Sequence, residues 1–412
     1  MMIETTRILI SQLINAHPWC VTFFSFALGF SLMPIVMKIS IRKQLVVKPN
    51  KRSSHIGRIP NVGGMNIFST FFITFLIFAI PPVVFSTFTA TDTNPNSQIA
   101  LAGFFSIFAV GFTDDIIDIS PKNKFIGEFI SAFIIVVMAN IRLTHFHGLF
   151  GISEIDPGHI WMSYLASTFL FVLLTNSINL IDGVDGLATG MGILISLFFG
   201  IYFQGAGEYE LTQNHIMTAS SLTNLSIMAY TLIGALAIFF IYNVFGGSSK
   251  NRKRKMFRRK IFMGDSGSLL LGAIIYVFVI SFCQYNVSNI SVRDVNYFFI
   301  NASPAVALCA LAVPLFDTLR VMITRIKKGN SPFKADKNHA HHLLLSLGMK
   351  HWQVTLTLIS VDATFILLGV LGKDLPNWEL GGLAILLGGV YTFTLWRILD
   401  YKKKKDEKAA NL

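Results

Sequence analysis

Asp114, Asp115 and Asp118 stand where an apolar run, residues 99–112, gives way to Ser120-Pro121-Lys122-Asn123-Lys124. Carboxylates at the edge of such a segment are expensive unless something uses them. Closely spaced Asp oxygens suit a hard cation such as Mg²⁺; a solvated loop with a helix cap is the plain alternative. A second cluster, Asn176, Asn179, Asp182 and Asp185, ends one apolar run and opens the next. Asn176, Asn179 and Asp182 are three apart and so lie near one helix face. Asp-Gly at 182–183 and 185–186 also reads as turn chemistry, but a turn does not explain asparagines inside an apolar helix. The third cluster, Gly264-Asp265-Ser266-Gly267-Ser268, directly precedes another apolar run. Its glycines permit close backbone approach, and the helix start offers N–H groups to an anion. Asp265 is a candidate Mg²⁺ ligand there; an N-cap is the simpler reading. The fourth, His339, His341 and His342, lies in a basic loop with Arg325, Lys334 and Lys337. Zinc is one option for it, but no cysteine accompanies the histidines, and the basic surroundings suit phosphate better.

What must position these residues is a membrane scaffold. The chain of 412 residues is 53% hydrophobic and 14% charged, against roughly 25% charged for soluble domains; its mean hydropathy is +0.59. Eleven runs approach the ~20 apolar residues that cross a bilayer: 19–39, 64–85, 99–113, 125–141, 160–181, 186–203, 222–245, 268–283, 302–323, 354–371 and 380–399. The expectation is an all-α polytopic integral membrane protein, a single domain over 1–412 with the motifs in 47–348 and a basic cytoplasmic tail at 400–412. With the N-terminus outside and the C-terminus cytoplasmic, every Lys and Arg except Arg7, Arg142, Arg293 and Lys373 falls on the inner side, as the positive-inside rule requires. All four polar clusters, and Asn243, then fall on that same face. The net charge of +12 is mostly this asymmetry together with attraction to anionic lipid. Scattered over membrane-adjacent loops, the basic residues do not form a nucleic-acid footprint. Cys20, Cys283 and Cys309 are widely separated in or beside apolar runs and read as small buried hydrophobes. Asp362 stands alone in an apolar span without an evident role, and Glu128 reads as a favourable charge near a helix start.

In this order, the clusters resemble the polyprenyl-phosphate N-acetylhexosamine-1-phosphate transferases, glycosyltransferase family 4. The resemblance runs from Val47 to about Gly348. It rests on Lys48-Pro49-Asn50-Lys51-Arg52 with residues 59–64, on Asp114-Asp115 with Lys122 and Lys124, and on 179–187, 262–268 and 314–318. His339-Ala340-His341-His342 resembles the His-x-His-His motif of the hexosamine branch rather than that of the related muramoyl-pentapeptide transferase. One such motif is weak; several in order are strong. The resemblance implies a bacterial inner-membrane enzyme, its active site facing the cytoplasm, with Mg²⁺ or Mn²⁺. It implies transfer of a sugar phosphate from a UDP-N-acetylhexosamine to undecaprenyl phosphate, with release of UMP, as the first membrane step of surface polysaccharide synthesis. Asp265 would be the metal ligand and Asn179 a second; Asp114 and Asp115 would hold or deprotonate the lipid phosphate, with Lys51, Lys122 and Lys124 around it. Asn176, Asp182, Asp185 and Asn243 would serve the nucleotide side. His339, His341 and His342, with Arg320 or Arg325, would grip the donor diphosphate. A homodimer is compatible with all of this. Residues 246–260, rich in Lys and Arg, look like an insertion into the family pattern at the nucleotide pocket.

Two readings from other classes stand beside it. Asp114 to Asp118 literally spells Asp-Asp-x-x-Asp, as in prenyltransferases, but that leaves the histidines and the Gly-Asp-Ser-Gly-Ser stretch without a role. A transporter would account for polar residues in spans, yet no inverted repeat is visible and the charges gather at one face. A CDP-alcohol phosphotransferase fits less well, because Asp182-Gly183 lacks the Ala-Arg that follows in such enzymes.

Overall fold

The computed structural model describes residues 17–47, 59–79, 95–149, 152–155, 157–246, 260–288, 300–331 and 338–410. Lys51 and most of the basic stretch 246–260 lie outside them. Helices dominate: α1 (Pro18–Arg42), α2 (Gly63–Phe78), α3 (Pro95–Ile117), α4 (Pro121–Ala132), α5 (Ile160–Ile181), α6 (Leu187–Thr212), α7 (Ile216–Val244) and α8 (Gly264–Ser288). After them come α9 (Ser303–Ala310), α10 (Ala312–Lys327), α11 (Ala340–Ser346), α12 (His351–Leu371) and α13 (Asn377–Ala410). Two small antiparallel ribbons supplement them: β1 (Val46–Val47) with β2 (Ile59–Pro60), and β3 (His145–Leu149) with β4 (Ile152–Glu154).

Among the described residues eight helices are long and apolar enough to cross a membrane, and the protein is a multi-pass membrane protein. Three of the eleven expected runs depart from a single straight helix. Run 64–85 is helical as α2 to Phe78, and its end lies outside the described residues. Run 125–141 is α4 continued by a π-helical stretch, Phe133–Met138, over the β-branched residues Ile134 to Val137, which crowd a regular turn. Run 302–323 is broken at Leu311 into α9 and α10, bent by 78°. Pro314 explains the break: its ring excludes the carbonyl of Ala310 and it has no N–H to give. The freed N–H of Val313 donates to Asp362 Oδ1 at 3.0 Å. Asp362 thus caps a broken helix.

Helix α8 is the axis of the molecule. Leu269, Leu270, Leu271, Ala273, Ile274, Ile275, Tyr276 and Phe278 are fully buried. A helix apolar on every side belongs at a centre, and α2, α3 and α5 pack around it. Outer faces carry exposed Phe23, Leu165, Phe169, Leu386 and Phe393, side chains suited to lipid rather than water. Exposed Trp19, Trp161 and Trp378 sit at the starts of α1, α5 and α13, and exposed Trp352 and Trp396 lie toward the opposite end, as expected of interfacial anchors.

The helix directions decide where chemistry can occur. The ends of α3, α5 and α7 and the starts of α4, α6, α8 and α12 carry Asp114, Asn179, Asn243, Lys124, the 182–186 turn, Asp265 and His351. In an up-and-down bundle these alternating ends share one face.

Candidate active site

The N-terminus of α8 is built into the site by backbone contact. Phe262 N donates to Pro60 O at 2.8 Å, Gly63 N to Phe262 O at 2.9 Å and Gly64 N to Met263 O at 2.8 Å. Gly264 adopts φ +72°, and a Cβ there would meet Asp115 Oδ2 at 2.5 Å. Only glycine both accepts that backbone and leaves that space.

Asp115 closes this junction. Its Oδ1 accepts from Asp265 N at 2.8 Å and Asn61 Nδ2 at 3.1 Å; its Oδ2 accepts from Ser266 N at 3.0 Å and Ser266 Oγ at 2.6 Å. It caps α8 from another helix, satisfying donors a helix start leaves open. With four donors on it, Asp115 has little capacity left for a diphosphate-bound metal, which weakens the Asp-Asp-x-x-Asp reading.

Asp265, one residue into α8, turns the other way. Its Oδ1 accepts from Asn179 Nδ2 at 2.9 Å, and Lys124 Nζ sits on its Oδ2. Asn179 also donates to Ser268 Oγ at 2.8 Å, so its amide fixes the rotamer of Asp265. Lys124 reaches Asp114 Oδ2 at 3.3 Å as well, and Asp114 Oδ1 accepts from Ile119 N at 2.9 Å. An ammonium between two carboxylates marks a place where positive charge is wanted. Lys122, by contrast, is exposed. Asn176 points elsewhere: its Nδ2 donates to Glu128 Oε2 at 2.6 Å. Glu128 is buried, its Oε1 unpartnered, so it is no surface charge at a helix start. Its spacing of four from Lys124 was the signal for a shared face.

The 182–186 turn faces this group. No described donor reaches the carboxylate of Asp182; burial pushes its pKa well up, and Asp265, Asp115 and Asp185 add like-charge repulsion. Asp185 is engaged by Lys260 Nζ and by His351 Nδ1 at 3.1 Å. Burial alone would raise its pKa, but the bonds from His351 and Lys260 hold it below the usual carboxylate range. Gly186 N donates to Asn243 Oδ1 at 2.6 Å, and Asn243 Nδ2 to Ile261 O at 2.8 Å. Asn243 therefore ties the turn to the segment entering α8.

The histidines divide by role. Asp317 is the hub: Oδ2 pairs with His339 Nδ1 at 2.9 Å, and Oδ1 accepts from Ala340 N at 2.9 Å and Arg320 Nη2 at 2.8 Å. Arg325 Nη2 lies 3.4 Å from His339 Nε2. Asp317, Arg320, Arg325 and His339 thus hold the start of α11 together. His341 is left with Nδ1 buried and unpartnered, its ring beside Gly183 and 4.3 Å, centroid to centroid, from His342. Burial, then His342, push its pKa down to about 3, so the ring is neutral at physiological pH. Among the described residues no three His, Cys, Asp or Glu side chains form a ready metal shell.

A continuous polar path thus runs from Asp114 through Lys124, Asp265 and Asn179 to the 182–186 turn and His341. Residues 97–283 match the model of glycosyl transferase family 4. An undecaprenyl-phosphate alpha-N-acetylglucosaminyl 1-phosphate transferase of Yersinia pestis is 26% identical over 387 residues, 92% of this chain and 93% of its own length. A protein of the same name from Escherichia coli O157:H7 is 28% identical over 373 residues, 89% of each chain. A probable undecaprenyl-phosphate N-acetylglucosaminyl 1-phosphate transferase of Bacillus subtilis is 27% identical over 348 residues, 84% of this chain and 82% of its own.

Asp317, His341 and His351 lie beyond residue 283, so the polar face extends past the matched stretch. The contact of Gly183 with His341 gives a test. A Cβ at Gly183 would stand 2.5 Å from His341 Nε2, so Gly183→Ala must push the ring away; such overpacking costs about 1–3 kcal/mol. Turnover is expected to fall about tenfold or more, and Gly183→Ala/His341→Ala to lose no more than His341→Ala alone. Additive losses in that double-mutant cycle would show that the two do not touch.

Proposed function

We propose that this protein transfers N-acetylglucosamine-1-phosphate from UDP-N-acetylglucosamine to undecaprenyl phosphate, releasing UMP, at the cytoplasmic face of a bacterial inner membrane. The observation that carries the reading is the meeting of Asp114, Asp265, Asp182 and His341, residues far apart in sequence, at one end of a helical bundle. The names of the relatives supply the sugar and the lipid. The bias of Lys and Arg supports an N-terminus outside and about eleven crossings, and the tryptophans at both ends fit it.

Phosphoryl transfer asks for alignment and charge neutralisation more than covalent chemistry. The lipid phosphate is held at headgroup depth by its buried chain, near Lys124 and Asp114. We assign Asp114 to hold that phosphate or take its proton, and Asp115 to position α8. The donor diphosphate lies toward Asp182 and neutral His341. Mg²⁺ keeps several waters and takes one or two carboxylates plus substrate phosphates, so Asp265, with Asn179 beside it, offers a fitting donor set. When bound, the ion would supply Lewis-acid stabilisation of the diphosphate.

Purified protein with undecaprenyl phosphate, UDP-N-acetylglucosamine and Mg²⁺ is expected to release UMP and form a lipid-linked sugar diphosphate. No UMP from this or any other UDP-N-acetylhexosamine would overturn the assignment, and a preference within that panel names the sugar.

A further inference from the structure

Asp185 is held both at its carboxylate and at its backbone. His351 Nδ1 lies 3.1 Å from its Oδ2 and 3.5 Å from its backbone N, Thr355 Oγ1 donates to its backbone carbonyl at 2.8 Å, and Lys260 Nζ shares the carboxylate. His351 and Thr355 are four apart at the start of α12, on one face of that helix. Three residues before Asp185 stands Asp182 with no described donor, and between them Gly183 abuts His341. The turn is short, so where Asp185 is fixed, Asp182 and Gly183 follow. Neither His351 nor Thr355 lies within the matched stretch 97–283.

We propose that His351 is a positioning residue for the nucleotide-sugar. Clamping Asp185 from α12, it sets the angle at which Asp182 and His341 meet the donor. It also keeps the Asp185 carboxylate compensated when Lys260 swings to an incoming phosphate. An ammonium and an imidazole share that one carboxylate, and a bound anion can draw the ammonium away. This rests on the donor side assigned above.

Three variants test it. His351→Leu removes the contact. His351→Asn keeps an N–H donor near the position of Nδ1. Thr355→Val removes only the bond to the backbone carbonyl. Each is compared with the parent for kcat, for KM of UDP-N-acetylglucosamine and of undecaprenyl phosphate, for calorimetric binding of UMP, and for Tm in detergent. His351→Leu is expected to raise the donor KM and the UMP Kd about tenfold, with kcat and acceptor KM within about twofold. His351→Asn restores both donor values to near the parent's. Thr355→Val lowers Tm with little change in donor KM. Unchanged donor KM and UMP Kd in His351→Leu would overturn the proposal. So would a parallel decline of kcat, both KM values and Tm without rescue by Asn, which would mark His351 as structural only. If the parent binds UMP yet turns over no UDP-sugar, the transfer reading fails while the Kd comparison still decides on His351. A parent that does not bind UMP overturns both.

Discussion

Asp265→Ala is expected to lower UMP release by about 10³-fold, the scale seen when an electrostatic group at a reacting centre is removed, while Tm changes little. The two halves of that expectation come from different observations. Asp265 is partly exposed, and its carboxylate is engaged by side chains only, Asn179, Lys124 and Asp114. Without it Lys124 keeps Asp114 at 3.3 Å and Asn179 keeps Ser268, so no buried charge is stranded and α8 stays capped by Asp115. On the function proposed above, chemistry suffers because the carboxylate assigned to a cation on the diphosphate is gone. Turnover within a few-fold of the parent would remove Asp265 from the site.

The neighbouring carboxylate is expected to behave in the opposite way. Asp115→Ala deprives Asp265 N, Ser266 N, Ser266 Oγ and Asn61 Nδ2 of their acceptor at once. Each buried donor left unpaired costs about 1–3 kcal/mol, and the loss falls on the start of the central helix. The expected result is a large drop in Tm and in monodisperse yield from detergent, with activity lost through unfolding. Asp115→Asn keeps one oxygen for two of the donors and should fall in between. A variant with alanine that melts like the parent but is inactive would reverse the assignment and make Asp115 a catalytic group. Comparing both variants by Tm and turnover separates two aspartates that look alike in sequence.

The transmembrane character and the end of the bundle where the polar clusters gather were legible without coordinates. Hydropathy and the Lys and Arg bias are sums over neighbouring residues. The apolar runs mark where helices begin and end, and at those ends Asp114, Asn179 and Asp265 stand. What neighbours cannot reveal is a partner 150 residues away. Nothing near Asp115 in the chain distinguishes it from Asp114, yet one is spent on the α8 start and the other faces Lys124. Asp317 carried no role until Ala340 and His339 folded onto it, and Asp362 none until Pro314 had broken the helix beside it. Glu128 and Lys260 passed as ordinary charges, and His351 unremarked, because what matters about each is the group opposite. A carboxylate does structural or chemical work according to which donors surround it, and that is decided by tertiary packing.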